Sequence, residues 1–455
     1  MIFIFRVFVF FLCCTSLYAS RWPTQIIPAQ HSLFSLQNSK KLVFFSQKML
    51  KKKIHGDQKN FVFNAQEIQK MFDDYERVVG SIFQQALLQV HNSRPSVVVK
   101  VLLEEMDDSS SVIAWKFACE KGFECLLGDK KMRKVMRYKT VTVVSKKGSF
   151  FCNGKKINFP IKLRSISGHG EFNGVSYDGD FVLYPQGKSL LCINYVGVED
   201  YIISVLRTES WPGWPLEVNK VFAIACRSYV VSKVIEGRKT KRPFHVRNTN
   251  VHQTYRGRHE VALLKQAVDH TRGKVLGFKG EPILAMFDCC CGGIVPAHID
   301  NFDFKKAPYL ARDYACNYCS TSSLYSWQVD YEHARFEQLL KNEYKELRGL
   351  HDIAIIKKDK AGLVGEVQLR GPHHNATISG KKLYSLLKEI KSFHFDVSIS
   401  KHRNKNDRKI VFTGRGYGHH LGLCQWGARQ MVREGFNYKS ILKFYYPNTY
   451  FMQLS

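Results

Sequence analysis

The sequence predicts an α+β protein, in which a small β-rich domain over residues 96–195 precedes a mixed α/β region over residues 196–455. Three observations carry this. Short runs rich in β-branched and aromatic residues, such as Val97-Val98-Val99, Thr140-Val141-Thr142-Val143-Val144 and Phe181-Val182-Leu183, are separated by Gly and Asn turns, as in small antiparallel sheets. Two segments of helical spacing then flank Pro212 and Pro215. Charged helical stretches alternate with strand-like runs from about Trp327 to Val411. A chain of 455 residues, 45% of them hydrophobic, can bury a substantial core and divides into two to three domains.

The N-terminus sets the compartment. Arg6 is followed by Val7-Phe8-Val9-Phe10-Phe11-Leu12 and then small residues around Ala19 and Ser20, the pattern of a secretory signal peptide over residues 1–20. The run is short for a membrane span, and no later stretch is apolar enough. The reading is an exported protein, in the periplasm or on the outer face of the cytoplasmic membrane. Membrane contact would come only through this segment, if it stays uncleaved. Residues 21–95 form a basic arm with one helical pattern, Ile68, Met71, Phe72, Tyr75, Val78, Val79 and Ile82.

Within the β-rich domain, Gly168 to Gly174 reads as a hairpin rather than a phosphate loop, because no helix signal follows. The first helix runs from about Val198 to Glu209, with Val198, Tyr201, Ile202, Val205 and Leu206 on one face and Glu209 continuing it. A second begins near Leu216, with Val218, Phe222, Cys226 and Tyr229 as a stripe and Arg227 among apolar neighbours. A carboxylate on an apolar face is disfavoured as an anion, so it can hold a proton near neutral pH and donate it. Arg227 could pair with Glu209 or orient a substrate's carboxylate; a structural ion pair between the two helices fits the same spacing.

Cysteine supplies a further constellation. Without Cys13 and Cys14, 11 of the 13 cysteines remain, an odd number that cannot pair completely. Cys289-Cys290-Cys291 and the Cys316-x-x-Cys319 pair suit either a structural zinc site or disulfides, with Cys291, Cys316 and Cys319 as candidate ligands and His298 as a further donor. The segment Gly414-Arg415-Gly416-Tyr417-Gly418-His419-His420-Leu421-Gly422 has the residue types of a loop packed against a ligand. Adjacent histidines on a strand face opposite ways, so at most one of His419 and His420 would face a site. The net charge of +29 admits nucleic acid, acidic glycan or anionic lipid as partners.

An ordered set of motifs over roughly Leu163 to Tyr450 resembles the stage II sporulation protein D (SpoIID/LytB) family. The set runs Val198-Glu199-Asp200-Tyr201-Ile202, Thr208-Glu209-Ser210, Ala223-Ile224-Ala225-Cys226-Arg227-Ser228-Tyr229, Asn248-Thr249 and Gln253-Thr254-Tyr255-Arg256-Gly257. It continues through Thr271 to Leu276, Cys291-Gly292-Gly293, Pro308-Tyr309-Leu310, Gly414 to His419, Gly422 to Ala428 and Tyr445-Tyr446-Pro447.

The resemblance implies a lytic transglycosylase that cleaves the bond between N-acetylmuramic acid and N-acetylglucosamine, closing a 1,6-anhydro ring, on strands whose stem peptides have been removed. It implies Glu209 as catalytic acid/base with Arg227 beside it, and His419, Gln425, Arg415 and Tyr255 as substrate-binding residues. No cofactor is required, and structural zinc is admissible. Some family members bind zinc through two cysteines before the Gln-x-Tyr motif; this chain has Arg247 and His252 there, leaving His245 and His252 as candidate ligands. His420 stands where the family usually has glycine. Peptidoglycan glycan strands are the implied partner. The alternative is a non-catalytic peptidoglycan-binding activator of an N-acetylmuramoyl-L-alanine amidase. Nucleic-acid binding is disfavoured by the export signal and the lack of a recognition motif.

Overall fold

The computed structural model describes residues 97–454, apart from 108–113, 128–133, 147, 159, 212, 342, 345–348 and 401–407. The signal peptide and the basic arm expected before residue 96 lie outside the described residues. The fold is α+β.

Ten strands come first: β1 (Val98–Asp107), β2 (Ala114–Leu127), β3 (Lys134–Lys146), β4 (Ser149–Cys152), β5 (Lys155–Lys156), β6 (Ile161–Ser165), β7 (His169–Phe172), β8 (Val175–Asp178), β9 (Asp180–Gln186) and β10 (Ser189–Gly197). They form one sheet in the order β1-β10-β9-β6-β2-β3-β4-β5, with the β7–β8 hairpin on β2. Period-2 burial orients it: Trp115 and Phe117, then Phe123 and Cys125 past a bulge, point into the core. In β10, Leu190 and Cys192 face the main core while Leu191 and Ile193 face a second cluster with Leu102 and Val182, so its unbroken apolar run is buried on both faces. The hairpin expected at residues 168–174 turns at Asn173 (φ 49°) and Gly174 (φ 80°), a pair suited to a tight turn of positive φ.

Two helices follow, α1 (Val198–Glu209) and α2 (Leu216–Thr240). α1 leaves β10 at Gly197 with Glu199 and Asp200 in its first turn, where the helix dipole favours negative charge. α2 is buried nearly all round over Val218–Val231, as befits a central helix. Then come β11 (Val246–Arg247), which pairs with β1, α3 (Ala262–His270), β12 (Lys274–Phe278), β13 (Glu281–Pro282) and β14 (Phe287–Asp288).

Residues 326–415 build a substructure with its own core around Tyr331, Phe336, Val367, Ile378 and Phe412. It holds β15 (Ser326–Glu332), α4 (His333–Leu340), β16 (Asp352–Lys358), β17 (Val364–Arg370), β18 (Asn375–Ser379), α5 (Gly380–Leu386), β19 (Phe395–Ile399) and β20 (Lys409–Arg415). The chain then returns to the main core through β21 (Leu423–Cys424), α6 (Gln425–Arg433), α7 (Tyr438–Tyr445) and β22 (Tyr450–Gln453). β21 pairs with β14 and β22 with β12, so the last thirty residues close over α2.

Candidate functional site

Glu209 is the last residue of α1 and is half-buried. Its Oε1 accepts the backbone N–H of Thr254 at 2.6 Å. Burial raises its pKa above the ordinary carboxylate range, and the Thr254 hydrogen bonds oppose that rise only in part. Thr208 Oγ donates to the Thr254 carbonyl at 2.5 Å, so the end of α1 and the 253–257 loop are tied twice. The Gln425 side chain donates to the Glu209 carbonyl at 3.0 Å, which brings the start of α6 to the same point.

An aromatic cluster surrounds this junction. Trp211 is 60% exposed and stacks on Trp214 at 6.4 Å between ring centroids. Trp214 meets Trp426 edge-on at 5.7 Å, and the Arg429 guanidinium lies over both rings. The loop between the helices is fixed from beneath: Ser210 and Asn219 share a 2.5 Å hydrogen bond and Asn219 Nδ2 donates to the Trp214 carbonyl. Trp211, Trp214 and Arg429 were not among the expected site residues; the Trp-Pro-Gly-Trp-Pro run that begins two residues after Glu209 was the signal available for the first two.

Arg227 does not reach Glu209. It is fully buried and pairs with Glu199, Nη2 to Oε2 at 2.6 Å and Nε to Oε1 at 3.1 Å. Glu199 stands ten residues before Glu209, about 15 Å along the helix axis at 1.5 Å per residue. The arginine's remaining donors go to the carbonyls of Ala223 and Lys274, leaving it committed to the core.

Tyr255 also faces inward: it is 1% exposed, stacks on Tyr201 at 5.2 Å and donates its hydroxyl to Asn194. Its ring fills the joint between sheet and α1. Arg415 ends β20, where its guanidinium meets His394 at 3.1 Å. His420 is the buried histidine, with its N–H on Asp288 Oδ2 at 2.7 Å and its ring on the Cys291 carbonyl. Its φ of 66° is the left-handed geometry that glycine adopts without strain. His419 is less enclosed, with Nδ1 accepting the Leu421 N–H, and burial holds its pKa down at about 4. Asp288, almost fully buried, has a carboxyl pKa raised well above the usual range by burial.

Cys291, Cys316, Cys319 and Cys424 converge, their sulfurs all within 4.8 Å of one another. Cys424 joins the three expected thiols, whereas His298 is exposed and outside the group. The eleven described cysteines are all free. His245 and His252 are engaged elsewhere, their Nδ1 atoms accepting the backbone N–H groups of Lys100 and Arg247.

Comparison with known proteins covers the segment that carries Glu209. The family model described as stage II sporulation protein matches residues 186–278, and a domain of unknown function (DUF8618) matches residues 306–422. An uncharacterized protein of Brachyspira hyodysenteriae is 31% identical over 60% of this chain and 72% of its own length. Stage II sporulation protein D of Bacillus subtilis is 26% identical, covering 56% of this chain and 75% of that protein. The amidase enhancer of Bacillus subtilis is 27% identical, covering 54% of this chain and 39% of that protein. The chain belongs to the SpoIID family.

Proposed function

We propose that this protein remodels the bacterial cell wall as a lytic transglycosylase of peptidoglycan glycan strands, with Glu209 as its single acid/base. The observation that carries the reading is the setting of Glu209, half-buried so that its carboxyl pKa is raised, and two residues from the exposed indole of Trp211. The protonated carboxyl donates to the glycosidic oxygen as the bond from C1 of N-acetylmuramic acid breaks, releasing the 4-hydroxyl of N-acetylglucosamine. The resulting carboxylate takes the proton of the muramic 6-hydroxyl, whose oxygen bonds to C1 and closes the anhydro ring. One carboxyl therefore serves both steps, where hydrolysis by inversion or retention uses two.

The Thr254 N–H fixes Oε1 and steadies the anionic form between the two steps. The indole face of Trp211 suits stacking against a sugar ring, and the net charge of +29 suits lactyl carboxylates on strands freed of stem peptides. Export fits the apolar segment Val7 to Leu12 and the extracytoplasmic location of the substrate.

Similarity to a protein named amidase enhancer favours a second reading, in which the chain stimulates an amidase without chemistry of its own. Glu209→Gln separates the two. If the enzyme reading holds, wild type releases soluble fragments from peptide-free strands and the variant is slower by roughly a hundred- to ten-thousand-fold. If neither releases fragments while both stimulate an amidase equally, the second reading stands.

A further inference from the structure

We propose that Cys291, Cys316, Cys319 and Cys424 hold a structural zinc ion that clamps the start of α6 against the Glu209 end of α1. The four thiols come from three separate chain segments: the loop after β14, the 316–319 turn and the end of β21. Each is at most 1% exposed. Zinc bound tetrahedrally at about 2.3 Å from sulfur places its ligands about 3.8 Å apart. The Cys291 and Cys319 sulfurs are 3.7 Å apart, and the full set lies within 4.8 Å. Disulfide bonding would need a sulfur pair at about 2.05 Å. Four soft donors in a closed, apolar pocket favour zinc among the biological divalent ions.

The shell around the sulfurs is built for thiolates. Cys424 Sγ accepts the backbone N–H groups of Cys291 and Gly427, each at 3.3 Å, and the latter belongs to the first turn of α6. Tyr445 brings its hydroxyl to Cys316 Sγ at 3.1 Å, from a ring that is itself fully buried. Gly427 leaves the room this requires: a Cβ there would stand 2.1 Å from the Tyr445 hydroxyl and 2.9 Å from Cys316 Sγ. Such outer contacts orient ligands and disperse the excess negative charge of four thiolates.

The connection to the site is covalent. Cys424 is bonded to Gln425, the residue that grips the Glu209 carbonyl, and Trp426 of the aromatic cluster comes next. Metal binding thus holds the α6 start in register with the acid/base. It does not depend on which reaction Glu209 performs, since metal content is read independently of turnover.

The test is elemental analysis of the purified full chain with thiol mapping by mass spectrometry. About one zinc per chain is expected, with the four cysteines protected from alkylation until a chelator and denaturant are added. Cys424→Ser and Cys319→Ser should lose the metal, and Cys289→Ser, from the same cysteine triplet, should keep it. Should the serine variants fail to fold, cobalt exchanged into wild type should show the charge-transfer absorption of a tetrahedral tetrathiolate. Disulfides among the four, or four readily alkylated thiols without zinc, would overturn the proposal.

Discussion

The Arg227 guanidinium lies 2.6 Å from Glu199 in the first turn of α1, and the same carboxylate accepts the Gly273 N–H at 2.9 Å. One ion pair therefore joins α1, α2 and the approach to β12. With Arg227 fully buried, its charge is satisfied, among the described residues, by this carboxylate and the carbonyls of Ala223 and Lys274. The pair fixes the direction in which α1 leaves the sheet, and hence where its far end carries Glu209.

Removing one partner leaves the other as an uncompensated charge, so Arg227→Met or Glu199→Gln should destabilise the fold by about 3–5 kcal/mol. The double variant Glu199→Met/Arg227→Met should recover much of that loss in a denaturant titration. A catalytic arginine would behave differently, lowering kcat at unchanged stability.

Glu209 gives two pH signatures. Its raised pKa means that the protonated acid is lost as pH rises through that value, so kcat/KM should fall along a single alkaline limb controlled by Glu209. The folded state also binds this proton more tightly than the unfolded state, and burial of the anion costs stability above the folded pKa. Glu209→Gln should therefore be strongly slowed yet more stable than wild type at neutral pH, with the difference shrinking on acidification.

Trp211 is exposed and stacked, so its substitution should spare the fold. Trp211→Ala is expected to raise KM on long glycan strands with kcat changed less, corresponding to loss of about 0.5–1.5 kcal/mol of stacking. A tenfold fall in kcat with unchanged KM would place the substrate elsewhere.

His245 reports on the sheet rather than the site. It is buried against Lys100, and burial, reinforced by Lys100 and Arg238, pushes its pKa down to about 4. Its unfolded form takes up a proton near pH 6.5 and its folded form near pH 4, so stability is full above pH 6.5 and falls as pH drops between the two. His245→Asn should flatten that slope by up to about 1.4 kcal/mol per pH unit in chemical denaturation.

How much was legible in the sequence depended on the range of the interaction. The bounds of α1, the start of α2, the Asn173-Gly174 turn and the apolar-face position of Glu209 follow from local periodicity and turn chemistry. Arg227 could be placed among apolar residues, but the partner expected for it was Glu209, and only the packing of the two helices reveals Glu199 in that role. Tyr255 and Arg415 sit in motifs that look suited to ligand contact, yet packing turns the first onto Tyr201 and the second onto His394. Cys424 had no neighbouring cysteine to mark it; only the β14–β21 pairing brings it beside Cys291. Conversely, His420 in the left-handed region gives a backbone reason for the glycine usual there.

The central claim is that Glu209 drives an intramolecular displacement, and mass spectrometry of the fragment ends tests it most directly. Wild-type protein incubated with peptide-free glycan strands should yield fragments ending in 1,6-anhydro-N-acetylmuramic acid, and Glu209→Gln should form them at least about a hundredfold more slowly. Fragments bearing reducing muramic ends, heavier by one water, would contradict the account.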